Sequence, residues 1–239
     1  MQQKYRKKSP ENVISLSPPA YSMSMKRRLL CLLLLLGFLP VLAACRGEDY
    51  EARISEIKRD IFCAQTEDFT LTVACLSREY PYADDGVACA MTDTIEVTIA
   101  PAGAAADSAA VYAADGSWGG DASFSSVHGD FRFSQGVTAF PEGSVDVRVV
   151  WGGKEVAIAA TSVRTPQTIS PEEALSRFVK SEGEALSRME REGVFCGEFR
   201  VRLLRRDKNY YYVAVTDGEK HIALLLDAQT GATLARREK

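Results

Sequence analysis

The sequence predicts a mainly β chain with an α+β end, in which an antiparallel β-sandwich is followed by a small helix laid on an antiparallel sheet. Three observations predict it. Short segments of alternating polar and apolar residues recur between residues 67 and 165, the period of half-buried strands. Gly, Asp and Pro turns separate them. A capped amphipathic stretch then opens at Ser170, and alternating segments return after it.

The chain of 239 residues opens on a segment outside that scheme. Lys26, Arg27 and Arg28 precede the apolar run Leu29 to Leu36, and small residues follow up to Ala43 and Ala44. This is the order of an export signal, and the run is shorter than the roughly 20 residues of a bilayer-crossing helix. Leu42-Ala43-Ala44-Cys45 resembles the lipobox of bacterial lipoproteins. The resemblance implies that residues 25–44 are removed and that Cys45 carries a diacylglyceryl group as the first residue of an extracytoplasmic, membrane-anchored protein. Residues 1–24 fit no part of a signal and read as an extension upstream of the true start at Met23 or Met25.

Removal of residues 1–44 takes away seven Lys and Arg and one acidic residue, so the whole-chain charge of −3 becomes about −9. That sign disfavours nucleic acid as a partner. With 46% hydrophobic and 26% charged residues the remainder is ordinary globular material. Cys63, Cys75, Cys89 and Cys196 remain, with no Cys-x-x-Cys spacing to hold zinc. Export permits disulfides among them; as small apolar packing residues they read equally as free buried thiols.

Residues 45–66 read as a tether and a short helix, with Ile54, Ile57 and Ile61 at helical spacing. Phe69–Cys75, Thr94–Ile99 and Val145–Val149 then alternate as strands, with weaker candidates at 109–113, 123–127 and 130–134. Gly152-Gly153 between alternating flanks predicts a tight hairpin. Six or seven such strands over about a hundred residues suggest a sandwich of immunoglobulin-like character over 67–165. The loops 82–86 and 114–121 are acidic and turn-rich; no Asp-x-Asp-x-Asp-Gly run with a following Glu is present to bind calcium. Trp118 and Trp151 are the candidate ligand-contact aromatics.

Ser170-Pro171-Glu172-Glu173 is a helix start, with Ser170 as cap and Pro171 in the first turn. Leu175, Phe178, Val179, Leu186 and Met189 line one face of the helix. Strands follow near Phe199–Leu203, Tyr210–Val215 and His221–Asp227. Arg200 and Arg202 belong to a basic island and are candidate partner contacts. Asp227, Thr230 and Gly231 form a structural turn.

Residues 170 to 236 resemble the PepSY domains, on Pro171-Glu-Glu-Ala174, Tyr210-Tyr-Tyr-Val-Ala-Val215 and Asp227-Ala-Gln-Thr-Gly-Ala-Thr-Leu234. The resemblance implies a helix-on-sheet domain over 168–239 that binds or inhibits peptidases and carries no catalytic residue. His-Glu-x-x-His is absent, so any peptidase is a separate protein.

Catalytic groups are scarce. His128 lies near Ser125, Ser126 and Asp130, too close in sequence for a triad, and no Gly-x-Ser-x-Gly elbow or phosphate loop is present. The expectation is a non-catalytic surface lipoprotein without cofactor or metal. It binds another envelope or secreted protein; the alternatives are regulation of a separate peptidase and binding of a glycan or small ligand.

Overall fold

A computed structural model describes residues 49–80 and 89–239. Residues 25–45, with the expected signal and Cys45, and the acidic loop 82–86 lie outside the described residues. A 3-10 turn at Glu51–Arg53 leads into eight strands: β1 (Ile54–Gln65), β2 (Phe69–Glu79), β3 (Met91–Pro101), β4 (Ala109–Ala113), β5 (Gly119–Ser125), β6 (Asp130–Gly136), β7 (Ser144–Trp151) and β8 (Lys154–Ser162). The helix α1 (Pro171–Ser187), the two-residue strands β9 (Glu190–Arg191) and β10 (Val194–Phe195), and the strands β11 (Glu198–Arg205), β12 (Asn209–Thr216), β13 (His221–Asp227) and β14 (Thr233–Glu238) complete the chain.

The strands do not form a sandwich. They pair in the order β1-β2-β3-β6-β5-β4-β7-β8, and β8 returns to β1 through Phe62 opposite Ser162 and Cys63 opposite Thr161. The result is a closed eight-stranded barrel with antiparallel neighbours throughout. Closure satisfies strand edges that a sandwich would leave open. Both architectures turn alternate residues to one core, so the pattern Val145, Val147, Val149 is the same in either.

The expected helix over 48–59 is also corrected. Ile54, Ile57 and Ile61 lie on β1, where the pairing with β2 shifts between Lys58 and Asp60. This irregularity breaks strict alternation. Ile54 and Ile57, three residues apart, both enter the core under α1 because the pairing with β11 also shifts between Ile54 and Glu56; Ile61 joins them, while Phe62 turns into the barrel. At the same place β1 changes partners: Ile54 to Lys58 pair in parallel with β11, and Phe62 and Cys63 pair with β8.

Because β1 serves both, β11 to β14 continue the barrel's sheet, and residues Glu48–Lys239 form one compact unit. The separate helix-on-sheet, PepSY-like domain and the immunoglobulin-like description are corrected accordingly. Helix α1 starts at its cap, where Ser170 Oγ accepts the Glu173 N–H at 3.1 Å. Such caps contribute about 1 kcal/mol. Its Leu175, Phe178 and Leu186 pack with Phe199, Val201, Val213 and Leu224 of the sheet.

A second core fills the barrel. Phe69, Leu71, Val73, Ile95, Val97, Ile99, Val147 and Val149 point inward and are buried, each contributing about 1.5 to 3 kcal/mol. Trp151 packs against Phe69 and Phe131 at centroid distances of 5.2 and 5.4 Å and fills one end. Gly152 and Gly153 turn that end with φ of 56° and 82°. The other end is lined by Trp118 and by the loops that follow β4 and β6. Among the described residues no helix is long and apolar enough to cross a membrane.

Candidate functional site at the barrel mouth

The end of the barrel opposite Trp151 is shaped by the turn between β4 and β5 and the loop between β6 and β7. In the first, the Gly116 N–H donates to the Ala113 carbonyl at 3.0 Å, and Asp115 Oδ1 accepts from the Ser117 amide and hydroxyl at 3.0 and 2.7 Å. Gly119 follows because a β-carbon there would collide with Tyr112 and the Val111 carbonyl. Its N–H donates to Gln135 Oε1 at 3.0 Å, tying the start of β5 to β6. In the second, the Val137 N–H donates to the Asp93 carbonyl and Phe140 folds back on the barrel core. The Ala114 N–H donates to the Asp146 carbonyl at 2.9 Å and joins the two loops.

Between them lies a cavity of about 390 Å³. Trp118 and Phe140 line it with apolar side chains, and Asp115, Glu142 and Asp146 are at its rim, Asp146 on the exposed face of β7 between the inward Val145 and Val147. The size falls in the range of about 300 to 1,000 Å³ typical of small-ligand sites. Hydrogen bonds from Ser117 hold the Asp115 carboxyl below its ordinary range, so it is ionised at neutral pH. The mouth therefore offers hydrogen-bond acceptors and negative charge beside an indole.

Trp118 is 4% exposed and packs near Phe133 at 6.3 Å, so it forms the inner surface of the mouth. Trp151 is 9% exposed at the opposite end and shares no site with it. Arg202 on β11 grips Glu56 on β1 through a two-point fork of 2.7 and 2.6 Å. Arg200 lies one pleat away on the same outer face. Neither arginine approaches the mouth.

Asp227, Thr230 and Gly231 form the turn between β13 and β14. Asp227 Oδ1 accepts from the Gln229 and Thr230 amides at 3.0 Å each, and its other oxygen accepts from Lys208 Nζ at 2.7 Å. Asp130 accepts from Arg132 Nε and Nη2 with its two oxygens at 2.7 and 3.1 Å. Cys63, Cys75 and Cys196 are free thiols. Among the described residues no group of three or more His, Cys, Asp and Glu side chains is placed to hold a metal ion.

Sequence reasoning singled out Trp118 and the acidity of 114–121 but passed over Phe140, Glu142 and Asp146. The available signal was the acidity of both loops, yet their meeting depends on the strand order of the closed barrel. No known protein family, curated protein or solved structure matches the chain.

Proposed function

We propose that this chain is a non-catalytic binding module that takes a small cationic or hydroxyl-rich ligand in the barrel mouth. The observation that carries this reading is the 390 Å³ cavity with Trp118 inside and Asp115, Glu142 and Asp146 around it. Carboxylates accept hydrogen bonds from ammonium or hydroxyl groups, and an indole packs against the carbon skeleton between them. Residues 54–162 carry six basic and sixteen acidic side chains, a field that draws cations toward the barrel.

The same proposal places the module outside the cytoplasm, held to the cell membrane by acyl chains on Cys45. Two long chains hold a domain where one would let it leave. Intact-mass measurement on protein from its native membrane tests this part: acyl mass on Cys45 supports it, and a free Cys45 in the native chain removes it.

The ligand reading is tested by titrating Trp118 emission in a Trp151→Phe background with a diamine such as putrescine and with a neutral oligosaccharide. A saturable change for at least one probe, lost in the Glu142→Gln/Asp146→Asn pair, is the expected result. No change with either class, or a change indifferent to both carboxylates, overturns it.

A protein partner is the second reading. It draws on Phe124 and Val127, 50% and 86% exposed near the β5–β6 turn. Capture of one envelope protein that is lost with Val127→Asp supports it, and capture unaffected by that change removes it.

A further inference from the structure

Strand β8 meets β1 over a short length only. Its Thr161 and Ser162 pair with Cys63 and Phe62, whereas residues 154–160 run on past the end of that pairing with β7 as their one strand neighbour among the described residues. The Ser162 N–H donates to the Gly143 carbonyl on the β7 side at 3.1 Å, and the Val163 N–H donates to the Ile61 carbonyl of β1 at 2.8 Å. Backbone groups of successive residues point to opposite edges of a strand. The β7–β8 register runs without a shift from Ser144 opposite Thr161 to Trp151 opposite Lys154. Glu155, Ala157 and Ala159 therefore turn their N–H and C=O groups to the free edge, and all three residues are exposed.

Such an edge is a template for a further strand. The opposite edge of the twelve-stranded sheet, β14, is guarded by Arg236, Arg237 and Glu238. On β8 the charged Lys154 and Glu155 stand at the hairpin tip, and Val156-Ala-Ile-Ala-Ala160 follow without charge, glycine or proline. Val156 and Ile158 are only half-buried against the barrel core.

The outer face beside the edge is a groove of about 650 Å³ with Ala157 and Ala159 in its lining. Arg148, next to Ala157 on β7, lies over the Tyr112 ring at 4.4 Å and donates to Glu155 at 2.7 Å, which forms one wall. Asp146 is the cross-strand neighbour of Ala159. Adjacent strands lie about 4.8 Å apart, so a long basic side chain on an added strand opposite Ala159 reaches Asp146 across a single methyl group. The turn that ends β1 adds the exposed Glu67 and Asp68 in line with the free edge.

We propose that this edge takes an extended basic segment of another protein as an added strand. Main-chain bonds to Glu155, Ala157 and Ala159 hold the segment, and its alternate lysine or arginine side chains meet the acidic groups beside them. A second copy of this chain is the less suited occupant, because its barrel carries the same excess of sixteen acidic over six basic side chains. The surface shares Asp146 with the barrel mouth, and its test leaves that residue unchanged.

The test uses the chain from residue 46 onward, which includes the compact unit Glu48–Lys239. The probes are a fluorescein-labelled peptide of alternating lysine and valine, and its counterpart with glutamate in place of lysine. In the free protein the Ala157 and Ala159 amides exchange with solvent faster than those of Val156 and Ile158. The lysine peptide binds saturably, slows exchange at Ala157 and Ala159, and binds more tightly than the glutamate peptide. Ala157→Pro removes an outward N–H while sparing the bonds to β7, and weakens binding about tenfold. Ala159→Lys keeps every backbone donor and weakens binding by charge. Both variants leave the Trp118 response to putrescine unchanged, so this proposal and the reading of the mouth fail separately. The proposal is overturned if the lysine peptide does not bind, if it binds without slowing the two amides or indifferently to both variants, or if the glutamate peptide binds as tightly. Self-association that protects the two amides with no peptide present also overturns it, by assigning the edge to a second copy.

Discussion

Ser162 Oγ donates to the Asp60 carboxylate, 2.7 and 2.8 Å from its two oxygens, where the last barrel strand meets the first. The contact lies at the irregularity that lets β1 leave β11 and take up β8. The Ser162 hydroxyl also accepts the Arg164 N–H at 3.0 Å, which starts the chain on its way to α1.

Ser162→Ala therefore removes a hydrogen bond to a charged group at the seam and leaves Asp60 without it. The expected loss is about 1 to 3 kcal/mol of folding stability. Urea unfolding checks this as a lower midpoint with an unchanged slope. A midpoint equal to that of the parent would mean that the contact contributes nothing to closure.

Gly231 sits at φ 67° in the β13–β14 turn, and a β-carbon there would run into the Arg177 side chain. Arg177 is itself paired with Glu173 at 2.7 Å. Gly231→Ala incurs backbone strain and displaces that pair, at a cost of about 1 to 3 kcal/mol. Thermal unfolding provides the check; an unchanged midpoint contradicts the geometry of the turn.

Lys208, followed by the Thr230 and Gln229 amides, holds the Asp227 carboxyl well below the usual carboxylate range. A depressed folded value stabilises the protein above the unfolded value of about 3.9, and this contribution fades as pH falls through the folded value. Asp227→Asn is thus expected to lower stability at pH 7, with the difference from the parent closing below about pH 3.9. A difference that stays constant with pH would assign the loss to turn geometry.

His221 acts at higher pH. Its folded value lies below the ordinary imidazole value of about 6.5, so protonation opposes folding and stability declines as pH falls through that region. His221→Asn flattens this part of the curve. Denaturant midpoints between pH 7.5 and 5 provide the measurement, and parallel curves for the two proteins would contradict it.

Burial, with Asp60 and Asp93 nearby, pushes the Cys75 thiol up to about 12, whereas Cys89 is exposed. The thiolate is the nucleophile, so Cys75 is inert in the folded protein. Brief alkylation at pH 8, followed by peptide mass analysis, should find Cys89 modified and Cys75 protected until urea is added. Equal rates in the native state would show that Cys75 lies outside the core assigned to it.

Local structure was the legible part of this chain. The cap at Ser170, the Gly152-Gly153 hairpin and the Asp227–Gly231 turn act through neighbours a few residues away, and each stands where its residues indicate. The barrel was not legible, because an alternating strand looks the same in a sandwich and in a closed sheet. Closure is decided by Cys63 meeting Thr161, a pairing with no local mark. The spacing of Ile54, Ile57 and Ile61 misled for a definable reason: the shift between Ile54 and Glu56 puts residues three apart into one core and mimics a helical period within a strand. The mouth followed the barrel, since Asp115 and Glu142 become neighbours only when β4 and β7 pair.

The pairing of β1 with β8 closes the barrel, and cross-strand proton contacts between residues 62–63 and 161–162 measure it most directly. Nuclear Overhauser effects between the backbone protons of Cys63 and Thr161, and of Phe62 and Ser162, are the predicted result. Their absence from a well-resolved spectrum that contains the Cys63–Thr72 contacts of the β1–β2 pair would show an open sheet and contradict the closed barrel.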